Sequence, residues 1–333
     1  MMAARFNVKM IGLRPALTIK PYLLVALIVV AVALTLILLY SSAFNPRIIV
    51  ATTTSLYDTG LLDYLGEYFK RRYDVNVYFI PLGTGLALQY GKRGDVDVVL
   101  VHDPPKELSF MREGFGVNRR IVAYNFFVLV GPPEDPAQIE GLPPLDALRR
   151  IVEAGRSGKA LWVSRGDESG THSKEKELWR SLGLDPSSIV NEYWYVEAGA
   201  DMGKTLLIAN EKKAYTLADA STYLRYFEEG RIRLKDLVGK GVELLNVYSV
   251  IIVNPRKVGG VNFKGAMAFA EFLTSEEGQS LIESYGKQRY ECSMFYPAVE
   301  LLKGTSELAN WIREYAFLEG YECPPQYQLL NHS

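Results

Sequence analysis

The chain has 333 residues, 48% of them hydrophobic and 23% charged, with 37 Lys+Arg against 38 Asp+Glu. That composition excludes a disordered, collagen-like or disulfide-dense chain, and the length is enough for a sizeable core in one large domain or two lobes. Residues 1–44 carry four basic residues (Arg5, Lys9, Arg14, Lys20) and no acid, so the remainder has a net charge of −5. A mildly acidic body lacks the basic face that nucleic-acid binding needs.

The first predicted element is an apolar run at 23–39, LLVALIVVAVALTLILL, flanked by Tyr22 and Tyr40. Basic residues precede it and none comes after it until Arg47. With its tyrosines it reaches the roughly 20 residues a membrane span needs, and the one-sided charge keeps 1–20 cytoplasmic and sends the chain beyond Tyr40 outside. The expectation is therefore a transmembrane anchor or signal segment at 21–41. The run is long for a signal sequence, which favours an anchor, although Ser41-Ser42-Ala43 would suit cleavage and secretion. Cys292 and Cys323 are the two cysteines, both beyond this run. An oxidising compartment permits a disulfide between them, and two free thiols fit equally well.

After residue 45 the pattern alternates. RIIVAT at 47–52 reads as a strand, followed by a helical pattern (Leu61, Leu62, Leu65, Tyr68, Phe69). Strands follow at 75–80 and 96–101, each leading into a helix. Such alternation predicts βαβ units and a parallel sheet. Then come a long apolar strand at 121–130 stopped by Gly131-Pro132-Pro133, and a Pro-rich loop at 132–144. The next predictions are helix 145–155, strand 160–163, helix 171–182, strand 193–196, helix 203–211, strand 214–217 and helix 219–227. Another apolar stretch occupies 242–253, followed by helices at 263–273, 276–286 and 306–317. The two long apolar stretches bracket a middle block. This predicts lobe 1 from 46–120 plus 254–333 and lobe 2 from 131–241, joined by crossover strands at 121–130 and 242–253. A cleft between lobes that closes by hinge motion is the expected ligand site.

Three hydroxyl- and glycine-rich clusters lie just past predicted strands: Thr52-Thr53-Thr54-Ser55, Gly83-Thr84-Gly85, and Ser164 to Thr171 (SRGDESGT). Ligands of open α/β sheets bind at the carboxyl ends of strands. Hydroxyls, exposed backbone N–H groups and helix starts at one spot hold an anion, and Arg165 adds a forked, permanently charged donor. Taken singly, each cluster is equally readable as a helix cap or a tight turn.

The stretches ATTTSLYDTGLLDYL, PLGTGLALQYGKRGDVDVVLVHDP, EGFGVNRRIVAYNFFVLVGP, VSRGDESGTHSKEKELW and WYVEAGADMGKTLLIANEKKAYTLAD resemble the tungstate-binding solute receptors of ABC importers. The resemblance runs through about residues 48–275. It implies a two-lobed α/β periplasmic-binding-protein fold of type II-like topology, and a non-enzymatic extracytoplasmic receptor with no cofactor. It also implies an ABC permease as partner. Arg165-x-Asp167-x-Ser169-Gly170-Thr171 matches the anion loop of phosphate receptors. By resemblance the oxyanion contacts are Thr54, Ser55, Thr84, Arg165, Ser169, Gly170 and Thr171. Residues 285–333 match no pattern of the family.

Tungstate is an unprotonated tetrahedral dianion at neutral pH, so a donor-only site suits it. Monohydrogen phosphate brings a proton that needs an acceptor, which Asp58 or Asp167 could supply. Molybdate has nearly the size and charge of tungstate, and sulfate is also open. An extracytoplasmic oxyanion sensor is a second class of reading, although 1–20 is short for an output domain. Ala198 to Thr205 (AGADMGKT) approximates a phosphate loop, with Lys204 and Thr205 as its nucleotide contacts, but its first glycine is missing. His102, His172 and His332 have no metal-ligand spacing. His102, which ends a predicted strand beside Asp103, reads more readily as a structural histidine than as a cleft residue. Ser169 has no evident base for nucleophilic catalysis.

Overall fold

The computed structural model describes residues 20–43, 46–290 and 293–322. Residues 1–45 and 46–333 form two separate units. The first contains helix α1 (Pro21–Ala43), whose Val25, Leu27 and Val29 side chains are exposed. Among the described residues no helix is long and apolar enough to cross a membrane. The anchor expected at 21–41 is therefore not shown. Cys292 and Cys323 lie outside the described residues.

The second unit begins with β1 (Arg47–Thr53), α2 (Thr54–Asp58), α3 (Leu61–Tyr73), β2 (Asn76–Leu82), α4 (Thr84–Arg93), β3 (Val98–Val101), α5 (Pro104–Arg112) and β4 (Gly116–Gly131). There follow α6 (Pro144–Arg156), β5 (Trp162–Ser164), α7 (Gly170–Ser181), α8 (Pro186–Ile189), β6 (Tyr195–Glu197), α9 (Met202–Lys212), β7 (Thr216–Asp219), α10 (Ala220–Glu228) and β8 (Lys235–Val238). The chain returns through a short 3-10 turn (Val242–Leu244) into β9 (Leu245–Val253), then α11 (Phe263–Thr274), α12 (Glu276–Ser284), α13 (Lys287–Tyr290), β10 (Tyr296–Pro297) and α14 (Glu307–Ala316).

The sheet runs β10-β4-β9-β3-β1-β2. β1 pairs in parallel with β2 and β3, and β9 runs antiparallel between β3 and β4. One face is covered by α3, α11 and α12, which bury Leu62, Phe69 and Phe269, and the other by α4 and α5 through Ala87 and Phe110. In α3 the spacing of Leu61, Leu62, Leu65 and Phe69 makes the apolar stripe that meets the sheet. Each such side chain contributes about 1.5–3 kcal/mol on burial.

β4 changes partners along its length. Up to Phe126 it pairs with β9, and from Phe127 to Val130 with β7. Its last residues, Leu129–Gly131, also pair with β8. Beyond this switch the side chains alternate between two further cores. Phe127 and Leu129 join Leu148, Ile151 and Trp179, whereas Val128 and Val130 join Leu206, Ala209 and Tyr223. Two α/β halves thus hang on one continuous strand, in the mixed α/β, two-lobed manner expected.

The partner switch is fixed by a buried polar network. Asn246 Nδ2 donates to Asn125 Oδ1 (2.8 Å) and Asp219 Oδ2 (2.9 Å), and the Tyr248 hydroxyl donates to Asp219 Oδ2 (2.5 Å). Asn125 Nδ2 donates to Ser221 Oγ at 2.7 Å, and Ser221 Oγ donates to the Met294 carbonyl at 3.0 Å. Buried polar groups satisfied in this way fix one arrangement of the strands they join. The segment after 285 also builds structure here. β10 pairs with β4 at Ala123 and Tyr124, and Ile312 and Ala316 of α14 pack with Ile121 and Val247.

Candidate functional site

The register of three parallel strands places the first candidates. Thr53 stands opposite Leu82 and Thr52 opposite Leu100, so the residues just past β1, β2 and β3 emerge side by side. These are Thr54, Thr84 and His102. Thr53 caps α2 by accepting from Leu56 N–H (3.3 Å), Gly83 precedes α4, and Asp103 caps α5 by accepting from Lys106 N–H (3.3 Å). Thr84 is fully buried in the first turn of α4, where free backbone N–H groups and the helix dipole favour negative charge. Ser55 is also buried, with its hydroxyl 3.4 Å from that of Thr53. Thr54 is only half-buried.

The other half supplies the loop after β5. Arg165 is 2% exposed and ion-paired with Asp167, whose second oxygen accepts from the Ser169 N–H at 3.2 Å. Ser169 caps α7 by accepting from His172 N–H (3.2 Å), which puts Gly170 and Thr171 in the first helical turn. Gly166 takes a left-handed φ of +62°, and a Cβ there would stand 2.9 Å from the Glu197 Cβ. A glycine is needed for the loop to lie this close against β6. Glu168 holds φ +58° without being glycine, a local strain of the kind that collects at binding loops.

The two halves meet at these loops. A Cβ on Gly170 would lie 2.8 Å from His102 Cε1, so the end of β3 and the start of α7 touch. Lys106 reaches over to Ser173 Oγ (2.5 Å) and the Glu168 carbonyl (3.3 Å). At the opposite rim the Arg225 guanidinium donates to the Asp58 carbonyl. Partial desolvation raises the Asp58 carboxyl above its ordinary pKa, with Asp201 adding to the effect and Arg225 and Arg165 opposing it. A cavity of about 330 Å³ opens beside the contact, lined among others by His102, Lys106, Glu168, Gly170 and Lys174.

Thr84 Oγ1, Thr171 Oγ1 and Arg165 Nε are buried without a hydrogen-bond partner, as are Thr52 Oγ1 and both ring nitrogens of His102. An unmet buried polar group costs about 1–3 kcal/mol. Several such donors on converging loops suit a ligand rich in acceptor oxygens. Among the expected residues, Thr84, Arg165 and Thr171 hold uncommitted donors. The Ser169 oxygen accepts within its own cap, Gly170 gives close approach, and Thr54 and Ser55 line the neighbouring turn. His102 is the neighbour of these donors that sequence reasoning misses. Its position at a strand end is visible, but a single histidine in an apolar strand reads first as core.

The phosphate-loop reading finds no support. Lys204 is exposed, and Thr205 Oγ1 donates to the Asp201 carbonyl of its own helix start at 2.8 Å. Among the described residues no His, Cys, Asp and Glu cluster could hold a metal ion.

Residues 41–277 match the model of the PBP superfamily domain. The tungstate-binding protein TupA of Peptoclostridium acidaminophilum is 44% identical over 253 residues, which cover 75% of this chain and 85% of that protein. The chain belongs to this family of tungstate-binding proteins within the PBP superfamily. A second member, TupA of Campylobacter jejuni, is 36% identical over 231 residues, covering 68% of this chain and 83% of its own length. The family fold is shared with a solved tungstate-binding protein from Desulfovibrio alaskensis G20. That structure is 38% identical over 76% of this chain and 98% of its own, with a TM-score of 0.66. A tungstate ABC transporter structure from Geobacter sulfurreducens gives 43% identity, coverage of 72% and 98%, and a TM-score of 0.64.

Proposed function

We infer that this chain is an extracytoplasmic receptor that captures tungstate between its two lobes and delivers it to an ABC permease. The observation that carries the reading is the set of buried, unpartnered donors Thr84 Oγ1, Thr171 Oγ1 and Arg165 Nε on loops from both halves. Thr54, Ser55, Ser169 and the backbone at Gly170 complete the proposed contacts. The relatives named for tungstate agree with that chemistry. The role is binding and closure, with no covalent step and no cofactor.

The donor set favours an unprotonated dianion. Asp167 is engaged by Arg165 and by the Ser169 N–H, so both of its oxygens are held toward their own loop, and Asp58 is the remaining acceptor a protonated phosphate could use. Lobe 1 (46–120 plus 254–333) would close on lobe 2 (131–241) about the point where β4 exchanges β9 for β7, at Phe126/Phe127. The apolar run and one-sided charge of 1–44 support tethering at the outer face through 21–41.

Calorimetric titration of the purified chain with tungstate, molybdate, phosphate, sulfate and ATP tests the reading. One tungstate per chain is expected. Phosphate should bind about tenfold more weakly or worse, the effect of one unmet hydrogen bond of about 1–3 kcal/mol. Phosphate or ATP binding more tightly than tungstate would overturn it.

A further inference from the structure

His102 is 3% exposed, at the carboxyl end of β3. Its ring is wedged between apolar and polar neighbours, with the Tyr248 ring 5.0 Å away and the Phe127 ring 6.1 Å away, centroid to centroid. Its far edge abuts the first residue of α7. From the position a Cβ would take on Gly170, Cε1 is 2.8 Å, Nε2 3.1 Å and Nδ1 3.2 Å away. The imidazole therefore occupies the space between Ser169 and Thr171 that a side chain at residue 170 would otherwise fill.

A buried imidazole ordinarily has at least its N–H satisfied. Neither ring nitrogen of His102 has a partner of hydrogen-bonding geometry, and Asn246 Oδ1, on the adjacent strand, is likewise unpartnered. The donors and acceptors of the ring are therefore uncommitted within the protein, and its nitrogens lie 3.1–3.2 Å from the position a Cβ would take on Gly170. The groups acting on the ring come from several directions. Burial is the largest effect and holds the ring's pKa below its ordinary value, so the imidazole is neutral before an anion binds; Asp219 from β7, Asp103 from its own loop and Asn246 from β9 favour the charge, and Arg165, from the loop after β5, opposes it. Lys106, Lys174 and Glu168 line the same cavity. The ring thus meets the start of α7 at Gly170, the residue directly before Thr171, from the β3 side.

We propose that His102 is a further contact of the bound oxyanion, donating an imidazole N–H to it from the β3 side of the cleft, opposite the first turn of α7. The inference rests on the tungstate reading above and extends it. It gives lobe 1 a donor that can strengthen when the dianion arrives, because a negative charge beside the ring favours its protonated form. It also gives Gly170 a reason: any side chain there would displace the ring from the ligand.

The test is nitrogen-15 NMR of the chain labelled at histidine, with and without saturating tungstate. The His102 signals are assigned by their loss in His102→Gln. Tungstate is expected to move the His102 ring-nitrogen resonances more than those of the other histidines. His102→Phe should weaken tungstate binding by about tenfold, the value of one charge-assisted bond. His102→Gln, which keeps an N–H donor, should fall between. Unmoved His102 resonances in a protein saturated with tungstate would overturn the proposal, as would a folded His102→Phe variant with wild-type affinity. Failure of the wild-type chain to bind tungstate, measured in the same titration, would overturn the function reading itself and the proposal with it.

Discussion

Replacing Arg165 with alanine is expected to weaken tungstate binding by about 100-fold or more while leaving the chain folded. The guanidinium is 2% exposed, so its charge acts on a neighbouring anion with little screening by solvent. Arg165 Nε is the uncommitted donor, and one charge-assisted hydrogen bond at the upper end of about 1.5–3 kcal/mol accounts for a factor of about 100. The substitution also removes the partner of Asp167. A carboxylate left uncompensated in the anion loop would repel an incoming dianion and add to the loss. Arg165→Lys keeps the charge but not the fork, so it should keep the Asp167 pairing and still bind about tenfold more weakly. Calorimetry on the two variants, with far-ultraviolet circular dichroism as a folding check, measures both effects.

Arg119→Met is expected to be the most destabilising conservative-volume change in the body of the protein. Arg119 Nε donates to Glu107 Oε2 at 2.8 Å, and both side chains are fully buried. Glu107 also accepts from the Asp103 N–H at 2.8 Å and from the Ser249 hydroxyl. Even so, burial raises the Glu107 carboxyl above its ordinary pKa, with Arg119 the chief opposing influence. Removing Arg119 leaves a buried carboxylate with neutral donors only, and breaking such a pair costs about 3–5 kcal/mol. Replacing both partners, as Glu107→Gln with Arg119→Met, should recover part of that loss, because no charge then remains buried. Thermal unfolding of the two variants checks the order. The pair matters to the site because Glu107 holds the Asp103 N–H, and Asp103 comes directly after His102. A weakened pair would loosen the end of β3 as well as the core.

Much of the fold was legible because its signals are local. Strands β1 and β3 are β-branched apolar runs, and α7 and α9 begin at Ser169 and Asp201, side chains that accept from backbone N–H groups three residues on. The predicted starts of the two helices lie within one residue of the observed ones. What escaped is set by tertiary pairing. Strand β8, KDLV, has no apolar run of its own and exists by pairing with the end of β4, where the register shifts. β4 begins at Gly116, five residues before the expected start, because the polar run Asn118-Arg119-Arg120 conceals a strand irregularity with Asn118 at φ +49°. Conversely, the apolar stretch at 242–253 opens with a 3-10 turn after Gly241, at φ +130°, and becomes strand only at Leu245. The network of Asn125, Asp219, Asn246 and Tyr248 joins residues up to 121 positions apart, as between Asn125 and Asn246, which no local pattern reports.

The candidate site divides in the same way. Thr84, Arg165 and Thr171 were readable because each lies just past a strand in a hydroxyl- and glycine-rich turn. That their donors lack protein partners depends on how the two halves meet. His102 illustrates the limit: its residue type and position were visible, but its contact with Gly170 comes from how the other half packs against the end of β3.

A crystal of the protein grown with tungstate, with diffraction recorded at the tungsten absorption edge, locates the metal directly. One strong anomalous peak is expected between the two halves, with its oxygens within hydrogen-bond reach of Thr84, Arg165 and Thr171. A peak outside that cleft, or a tungstate held by one half alone, would contradict the account.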